Sequence, residues 1–323
     1  MWCAVLALAG CKKKEEAKKE PAPAAKADKE QTKTADAETK AAGGDALVKR
    51  GEYIANIMGC QQCHTAFTKT GPDTANAWAG GLEIKEKFGT WRSPNITQHA
   101  DHGIGKWTDA QIIAAVREGV RPDGTRLYPI MPYPFYRVLS DDDAKALVAY
   151  MRTLPANDRK VAPTGELKLP KPELPKPAGK APAADPVARG GYLASLMHCA
   201  MCHSPADEQG APDFMKRPFA GGYPFEIPEL GTGVLYSSNL TPHDTGIGKV
   251  SDDQLIAAVR EMKRITKEGL IQGPMALYQM GWYSIKDDDA AALAAFLRSL
   301  PPAENKVPAS TFVPNAPGAP PKK

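Results

Sequence analysis

The sequence is short of several features that mark common classes of protein. Aromatic side chains make up only 7% and apolar residues 42% of its 323 residues, which is lean for two self-sufficient hydrophobic cores. No apolar run approaches the ~20 residues that a membrane-spanning helix needs, so we expect no such helix. The formal net charge is only +4, which gives no electrostatic argument for nucleic-acid binding. Cysteines are also few, six in all, so their positions matter more than their number.

Four of these cysteines lie in two copies of one pentapeptide pattern, Cys-x-x-Cys-His. The copies supply Cys60, Cys63 and His64, and Cys199, Cys202 and His203. This spacing is typical of c-type haem attachment, because both thiols of one helical turn can form thioethers to the vinyl groups of the haem. The histidine that follows lies under the iron as its proximal ligand. We therefore predict two covalently bound haem c groups.

Two other kinds of site use the same pair of cysteines. A structural zinc site needs four ligands, commonly two such pairs close together, whereas these two pairs are far apart in the sequence and neither has another pair nearby. A thioredoxin-like redox pair needs a surrounding βαβ pattern, which neither copy has. Both alternatives are weaker than haem.

The chain is a tandem repeat. Arg50-Gly51 matches Arg189-Gly190, residues 103–106 (Gly-Ile-Gly-Lys) match residues 246–249, and residues 141–143 (Asp-Asp-Asp) match residues 287–289. The segments around the repeats are rich in proline, or in lysine, glutamate and alanine, which is typical of linkers and disordered tails. The predicted segments are a signal (1–11), a disordered tether (12–44), domain one (45–155), a proline-rich linker (156–186), domain two (187–301) and a disordered tail (302–323).

Each repeat predicts three helices joined by long loops, and hence an all-α fold. The first helix is expected at about 47–58. The second begins at a capping box, Thr108-x-x-Gln111, whose counterpart is Ser251-x-x-Gln254. The third begins at Ser140 and keeps its apolar residues on one face. A buried apolar macrocycle would give the long loops something to pack against.

A second axial ligand for each iron is expected from a methionine in the loop before the last helix. Met131 lies between prolines in domain one, where a methionine has little core to fill. Domain two offers Met275, which follows a proline, and Met280, which is closer to the last helix. We favour Met275, with Met280 as the alternative.

Loop histidines compete for the same role. His99, His102 and His243 all lie in the polar loop between the Asn-Ile-Thr or Asn-Leu-Thr sequence and the Gly-Ile-Gly sequence, and most histidines in such loops are solvated. His198 has no counterpart, since Gly59 stands at its position in domain one, and it is expected at the surface.

The N-terminus resembles a bacterial lipoprotein signal. An apolar run over residues 2–10 precedes Cys11, the expected lipidation site, but no lysine or arginine precedes the run. An apolar terminus without a signal function is the alternative. Haem attachment and lipidation both predict an exported protein, periplasmic or on the outer surface of a bacterial membrane and held there by the lipid.

Together, the pentapeptides, the Met-Pro-Tyr loop at 131–133 and the Ser-Asp-Asp-Asp helix at 140–143 resemble class I cytochrome c domains. They are most similar to those of the multihaem cytochrome subunits of membrane-bound alcohol and aldehyde dehydrogenases, over residues 47–155 and 187–301. The resemblance implies two tandem all-α domains and a first helix that crosses the last near Gly51 and Gly190. Domain two departs from the pattern where Val250 replaces Trp107.

The function that follows is that of a dihaem electron carrier, not an enzyme. With both axial positions filled, no small-molecule substrate is expected, and the partners are redox proteins, a dehydrogenase or a terminal oxidase. The alternative is a dihaem peroxidase, which would need an open or displaceable axial position at one haem.

Overall fold

The computed structural model describes residues 44–68, 71–86, 89–163, 180–182, 184–208, 210–227, 230–265 and 269–315. The predicted signal, nearly all of the predicted tether and the central part of the proline-rich linker lie outside these ranges. None of the described helices is both long and apolar enough to cross a lipid bilayer.

Among its described residues, domain one contains five α-helical segments, two of them single turns. They are α1 (44–58), α2 (Cys60–Cys63), α3 (Asp109–Glu118), α4 (Tyr133–Tyr136) and α5 (Asp141–Met151). Two short antiparallel pairs of strands lie in the loops, β1 (Phe67–Thr68) with β2 (Gly71–Pro72) and β3 (Glu83–Glu86) with β4 (Gly89–Arg92). The strands have two to four residues, so the domain is all-α, as predicted.

Domain two repeats this order. Its helices are α6 (Pro186–Leu196), α7 (Cys199–Cys202), α8 (Asp252–Arg260), α9 (Gln279–Trp282) and α10 (Asp287–Ser299). Its strands are β5 (Pro224–Phe225), β6 (Gly231–Thr232), β7 (Leu235–Tyr236) and β8 (Val313–Pro314), where β5 pairs with β7 and β6 with β8.

The predicted capping boxes begin the second long helix of each domain. The Thr108 hydroxyl accepts a hydrogen bond from the backbone of Gln111, and the Gln111 side chain accepts one from the backbone of Thr108. Ser251 and Gln254 form the same pair at α8. Each box satisfies two backbone donors that have no partner within the helix, so α3 and α8 start at the positions predicted from the sequence.

The first and last helices of each domain cross at a glycine. A Cβ atom at Gly51 would lie 1.9 Å from the carbonyl oxygen of Ala146, and one at Gly190 would lie 2.0 Å from that of Ala292. Only glycine allows this approach of the two backbones, so the expected crossing is confirmed in both domains.

The segment after each last helix packs against its own domain, which corrects two predicted boundaries. The buried amide of Asn95 donates to the carbonyl oxygen of Asn157 at 2.8 Å, and that of Asn239 donates to Ala303 at 2.8 Å. We call residues 156–163 and 302–315 the collar segments. Their proline-rich composition predicts a linker and a disordered tail, but in the fold they provide backbone acceptors for these two buried amides.

The two domains meet through two matching clusters of an arginine, an aspartate and a tyrosine. In the first cluster, Arg50 donates two hydrogen bonds to Asp143, at 2.7 and 2.8 Å. Tyr192, from domain two, donates its hydroxyl proton to the same carboxylate at 2.6 Å. A residue of domain two thus completes an ion pair of domain one.

The second cluster reverses these roles. Arg189 donates to Asp289 at 2.7 and 2.8 Å, and Tyr53 of domain one donates to Asp289 at 2.5 Å. Each short helix before the last helix also contacts the first helix of the other domain. Helix α4 packs on α6, and the Trp282 indole of α9 donates to the carbonyl of Ile57 in α1 at 3.0 Å. The domains are therefore related by an approximate two-fold arrangement within one compact unit that begins at Asp45.

Candidate haem-attachment sites

Each Cys-x-x-Cys-His sequence folds as a single helical turn after a residue in the left-handed region. Gly59 has φ 68° before α2, and His198 has φ 44° before α7. The backbone N–H of the terminal histidine closes each turn by donating to the first cysteine, His64 to Cys60 and His203 to Cys199, both at 2.9 Å. The turn brings both cysteines and the histidine together, as the attachment of one haem requires.

Both motif histidines are held in one tautomer by a backbone carbonyl. The Nδ1 atom of His64 lies 2.8 Å from the oxygen of Pro94, and that of His203 lies 2.8 Å from the oxygen of Ser238. Burial lowers the pKa of both imidazoles, although these hydrogen bonds oppose the shift. A carbonyl can only accept, so Nδ1 carries the proton and Nε2 presents its lone pair. This is the arrangement that a histidine ligand to a metal adopts.

The four motif cysteines are free thiols. Burial raises the pKa of Cys60 and of Cys199 to about 12 and that of Cys202 to about 11, and it also raises the pKa of Cys63. They are thus protonated at neutral pH, and thioether formation adds each S–H group across a vinyl group of the haem. Within the ranges that the structure describes, no three histidine, cysteine or acidic side chains come together as a metal site.

The candidate methionines differ in exposure. Met131 and Met275 are both partly buried and pack against the hydrophobic core, Met131 in the loop before α4 and Met275 in a 3-10 turn at Gly273–Tyr278. Met280 is 50% exposed. It lines a small surface pocket with Gln61, Gln62 and other residues of domain one. The inward position of Met275 fits an axial ligand better than the outward position of Met280.

The loop histidines form local contacts. His99 Nδ1 accepts from the backbone N–H groups of Asp101 and His102, and the His102 ring stacks on that of His99 with centroids 4.9 Å apart. His243 Nδ1 lies 2.9 Å from the hydroxyl of Thr245. These contacts stabilise the loop and give the rings a role without iron.

The prediction that His198 lies at the surface is wrong. Its side chain is only 4% exposed, and burial lowers its pKa to about 4. The ring lies between Tyr136 of domain one, at 6.2 Å between centroids, and Tyr278 of domain two, at 5.2 Å. The sequence could not indicate this, because the partners that cover His198 are distant in the chain.

The two motifs face each other across the contact between the domains. The hydroxyl of Tyr278, in domain two, lies 3.7 Å from Cys63 Sγ in domain one. Cys63 also contributes to the raised pKa of Cys202, after burial, because the two thiols are close enough to interact electrostatically. Sequence reasoning missed Tyr278, since no motif marks it and its contact spans the domains.

Comparison with known proteins identifies the family to which the two repeats are similar. The sequence model of the cytochrome c family matches residues 48–155 and 187–301. The cytochrome c subunit of the quinone-dependent alcohol dehydrogenase of Gluconacetobacter polyoxogenes is 33% identical over 284 residues, which are 80% of this chain and 56% of that protein. The gluconate 2-dehydrogenase cytochrome c subunit of Pantoea cypripedii is 35% identical over 287 residues, 79% of this chain and 60% of that protein.

A third relative is similar to the chain over most of its own length. The dihaem c-type cytochrome of Cereibacter sphaeroides is 31% identical over 278 residues, which are 81% of this chain and 89% of that protein. By contrast, the chain spans little more than half the length of the alcohol dehydrogenase subunit. The two matched regions coincide with the two repeats and contain both haem-attachment sequences. The chain therefore belongs to the cytochrome c family, with two cytochrome c domains in tandem.

Proposed function

We propose that the chain carries two haem c groups and passes single electrons between redox proteins. Cys60 and Cys63 would hold one haem with His64 as its proximal ligand, and Cys199, Cys202 and His203 would hold the other. The observation that carries this proposal is the orientation of both histidines, whose Nδ1 atoms lie 2.8 Å from a backbone carbonyl and whose Nε2 lone pairs are available to iron.

Met131 and Met275 are proposed as the second axial ligands. A haem iron with histidine and methionine ligands changes its charge by one without binding substrate. The backbone carbonyls of Pro94 and Ser238 would fix the orientation of the two histidine ligands. Trp91 supports a haem in domain one, because its buried indole N–H has no hydrogen-bond partner among the described residues, and a haem carboxylate would supply an acceptor.

The proposed partners are a dehydrogenase as electron donor and a terminal oxidase or another carrier as acceptor. Support comes from the two relatives that are named as cytochrome subunits of dehydrogenases. We further propose that the protein is exported and held at the outer surface of a bacterial membrane by a lipid on Cys11, which lies outside the described residues. Mass spectrometry of the N-terminal peptide of the membrane fraction tests the lipid directly.

Counting covalent haem tests the proposed function. Thioethers survive denaturation, so the denatured protein should retain two haems by pyridine haemochrome assay. Replacing Cys60 and Cys63 with alanine should leave one haem attached, in domain two, and replacing Cys199 and Cys202 should leave the other. The carrier should not bind carbon monoxide, whereas the peroxidase alternative requires one haem that does. Fewer than two covalent haems would refute the dihaem proposal.

A further inference from the structure

Domain two places an aromatic residue directly against the haem-attachment turn of domain one. The Tyr278 ring covers Gly59 so closely that a Cβ atom there would lie 2.4 Å from Cε1 of the ring. The ring stacks on Trp282 with centroids 4.9 Å apart, and Trp282 is itself anchored to domain one by its hydrogen bond to Ile57. Tyr278 is thus held between the domains and its hydroxyl reaches Cys63.

Once Cys63 has formed a thioether, its sulfur has no proton. The Tyr278 hydroxyl, 3.7 Å away, is then the only possible donor of the pair. Burial raises the pKa of Tyr278 well above its ordinary value, so the donor keeps its proton throughout the neutral range.

This contact breaks the approximate two-fold relation of the domains. The register that aligns Asp287 with Asp141 places Pro132 at the position of Tyr278, and proline has no side-chain donor. The position of Gly59 is occupied by His198 in domain two, whose side chain is buried. Tyr278 thus hydrogen bonds to a cysteine of domain one, whereas towards domain two its ring lies against His198, with centroids 5.2 Å apart.

We propose that Tyr278 is a positioning residue through which domain two raises the reduction potential of the haem in domain one. The inference rests on the proposed function. A hydrogen bond to the thioether sulfur withdraws electron density from the edge of the macrocycle and favours the reduced haem, as hydrogen bonds around a cofactor generally do. The two haems then differ in potential partly because of a residue that belongs to the other domain.

Redox titration of the full-length protein with both haems tests this. Tyr278→Phe keeps the ring and its stacking but removes the donor. Loss of one hydrogen bond changes an equilibrium constant by about two- to tenfold. We therefore expect the equilibrium constant for electron transfer from the domain-two haem to the domain-one haem to fall by this factor. Haem-methyl NMR signals of the oxidised protein, assigned with the single-haem variants, identify the haem that shifts.

Tyr283→Phe is the matched control, because Tyr283 directly follows α9 but is 64% exposed; the potentials of this variant should equal those of the wild type. Gly59→Ala is a second, independent variant that displaces the Tyr278 ring and should lower the potential of the same haem. Unchanged potentials in Tyr278→Phe, or equal shifts of both haems, would overturn the inference while leaving the proposed function intact. A wild-type protein with fewer than two covalent haems would instead overturn the proposed function.

Discussion

Removal of the Tyr192 hydroxyl should weaken the contact between the domains. That hydroxyl donates to Asp143 at 2.6 Å, and the tyrosine is only 5% exposed. A hydrogen bond to a charged acceptor contributes about 1.5–3 kcal/mol. We therefore expect Tyr192→Phe to lower the free energy of unfolding by about that amount, and Tyr53→Phe to do the same through its bond to Asp289.

The two substitutions should not be additive. The charge of Asp143 raises the pKa of Arg189, and the charge of Arg50 lowers the pKa of Asp289. The two clusters therefore interact electrostatically across the approximate two-fold axis. Neighbouring charged networks of this kind show coupling energies of about 0.5–3 kcal/mol. The effect of the double variant should thus differ from the sum of the single effects by more than about 0.5 kcal/mol.

Urea denaturation of the haem-loaded protein, followed by far-ultraviolet circular dichroism, measures these changes. The control is again Tyr283→Phe, an exposed tyrosine whose replacement should change stability by less than about 0.5 kcal/mol. If Tyr53→Phe and Tyr192→Phe unfold like this control, the hydroxyl groups do not hold the domains together, and our account of the interface is wrong.

Three further predictions concern acid stability and the haems. Burial opposes ionisation of Asp289, but its arginine and tyrosine partners lower its pKa overall. The ionised carboxylate therefore stabilises the fold above about pH 4, and this contribution is lost as the pH falls through the folded pKa. Urea midpoints at pH 7 and pH 3 should show that Asp289→Asn loses less stability on acidification than the wild type, and an equal loss would contradict this. Because Val250 replaces Trp107 in domain two, that haem should be wetter and have the lower potential; Val250→Trp should raise it in a redox titration, and Trp107→Val should lower the potential of the other haem. Met275→Ala should abolish the methionine-to-iron absorption band of the domain-two haem and open it to carbon monoxide, whereas Met280→Ala should do neither; the reverse result would identify Met280 as the ligand.

Local sequence was sufficient to predict what depends on neighbouring residues. The capping boxes at Thr108 and Ser251 stand at the predicted helix starts, because a cap is made within four residues. The glycine crossings were predicted from the family resemblance, and both are present. The tandem repeat was visible because two copies of one pattern lie in the same chain.

Contacts between distant residues could not be predicted in this way. Nothing near Tyr278 or His198 in the sequence shows that they meet at the contact between the domains, since each is covered by residues of the other repeat. The sequence wrongly predicts the collar segments as part of a linker and of a disordered tail for a related reason. Their composition is typical of a linker, and only the fold reveals that Asn95 and Asn239 need the carbonyl groups these segments provide.

The reciprocal tyrosine contacts also bear on how the two halves can diverge. An interface in which each partner offers the same donor and the same acceptor is the interface of a symmetric homodimer. Domain one carries both halves of that exchange, Tyr53 and the Arg50–Asp143 pair. Joining two such copies in one chain closes the interface internally and fixes their ratio at one to one. Each copy is then released from the requirement of being identical to its partner, and a glycine can remain at position 59 while a histidine occupies position 198.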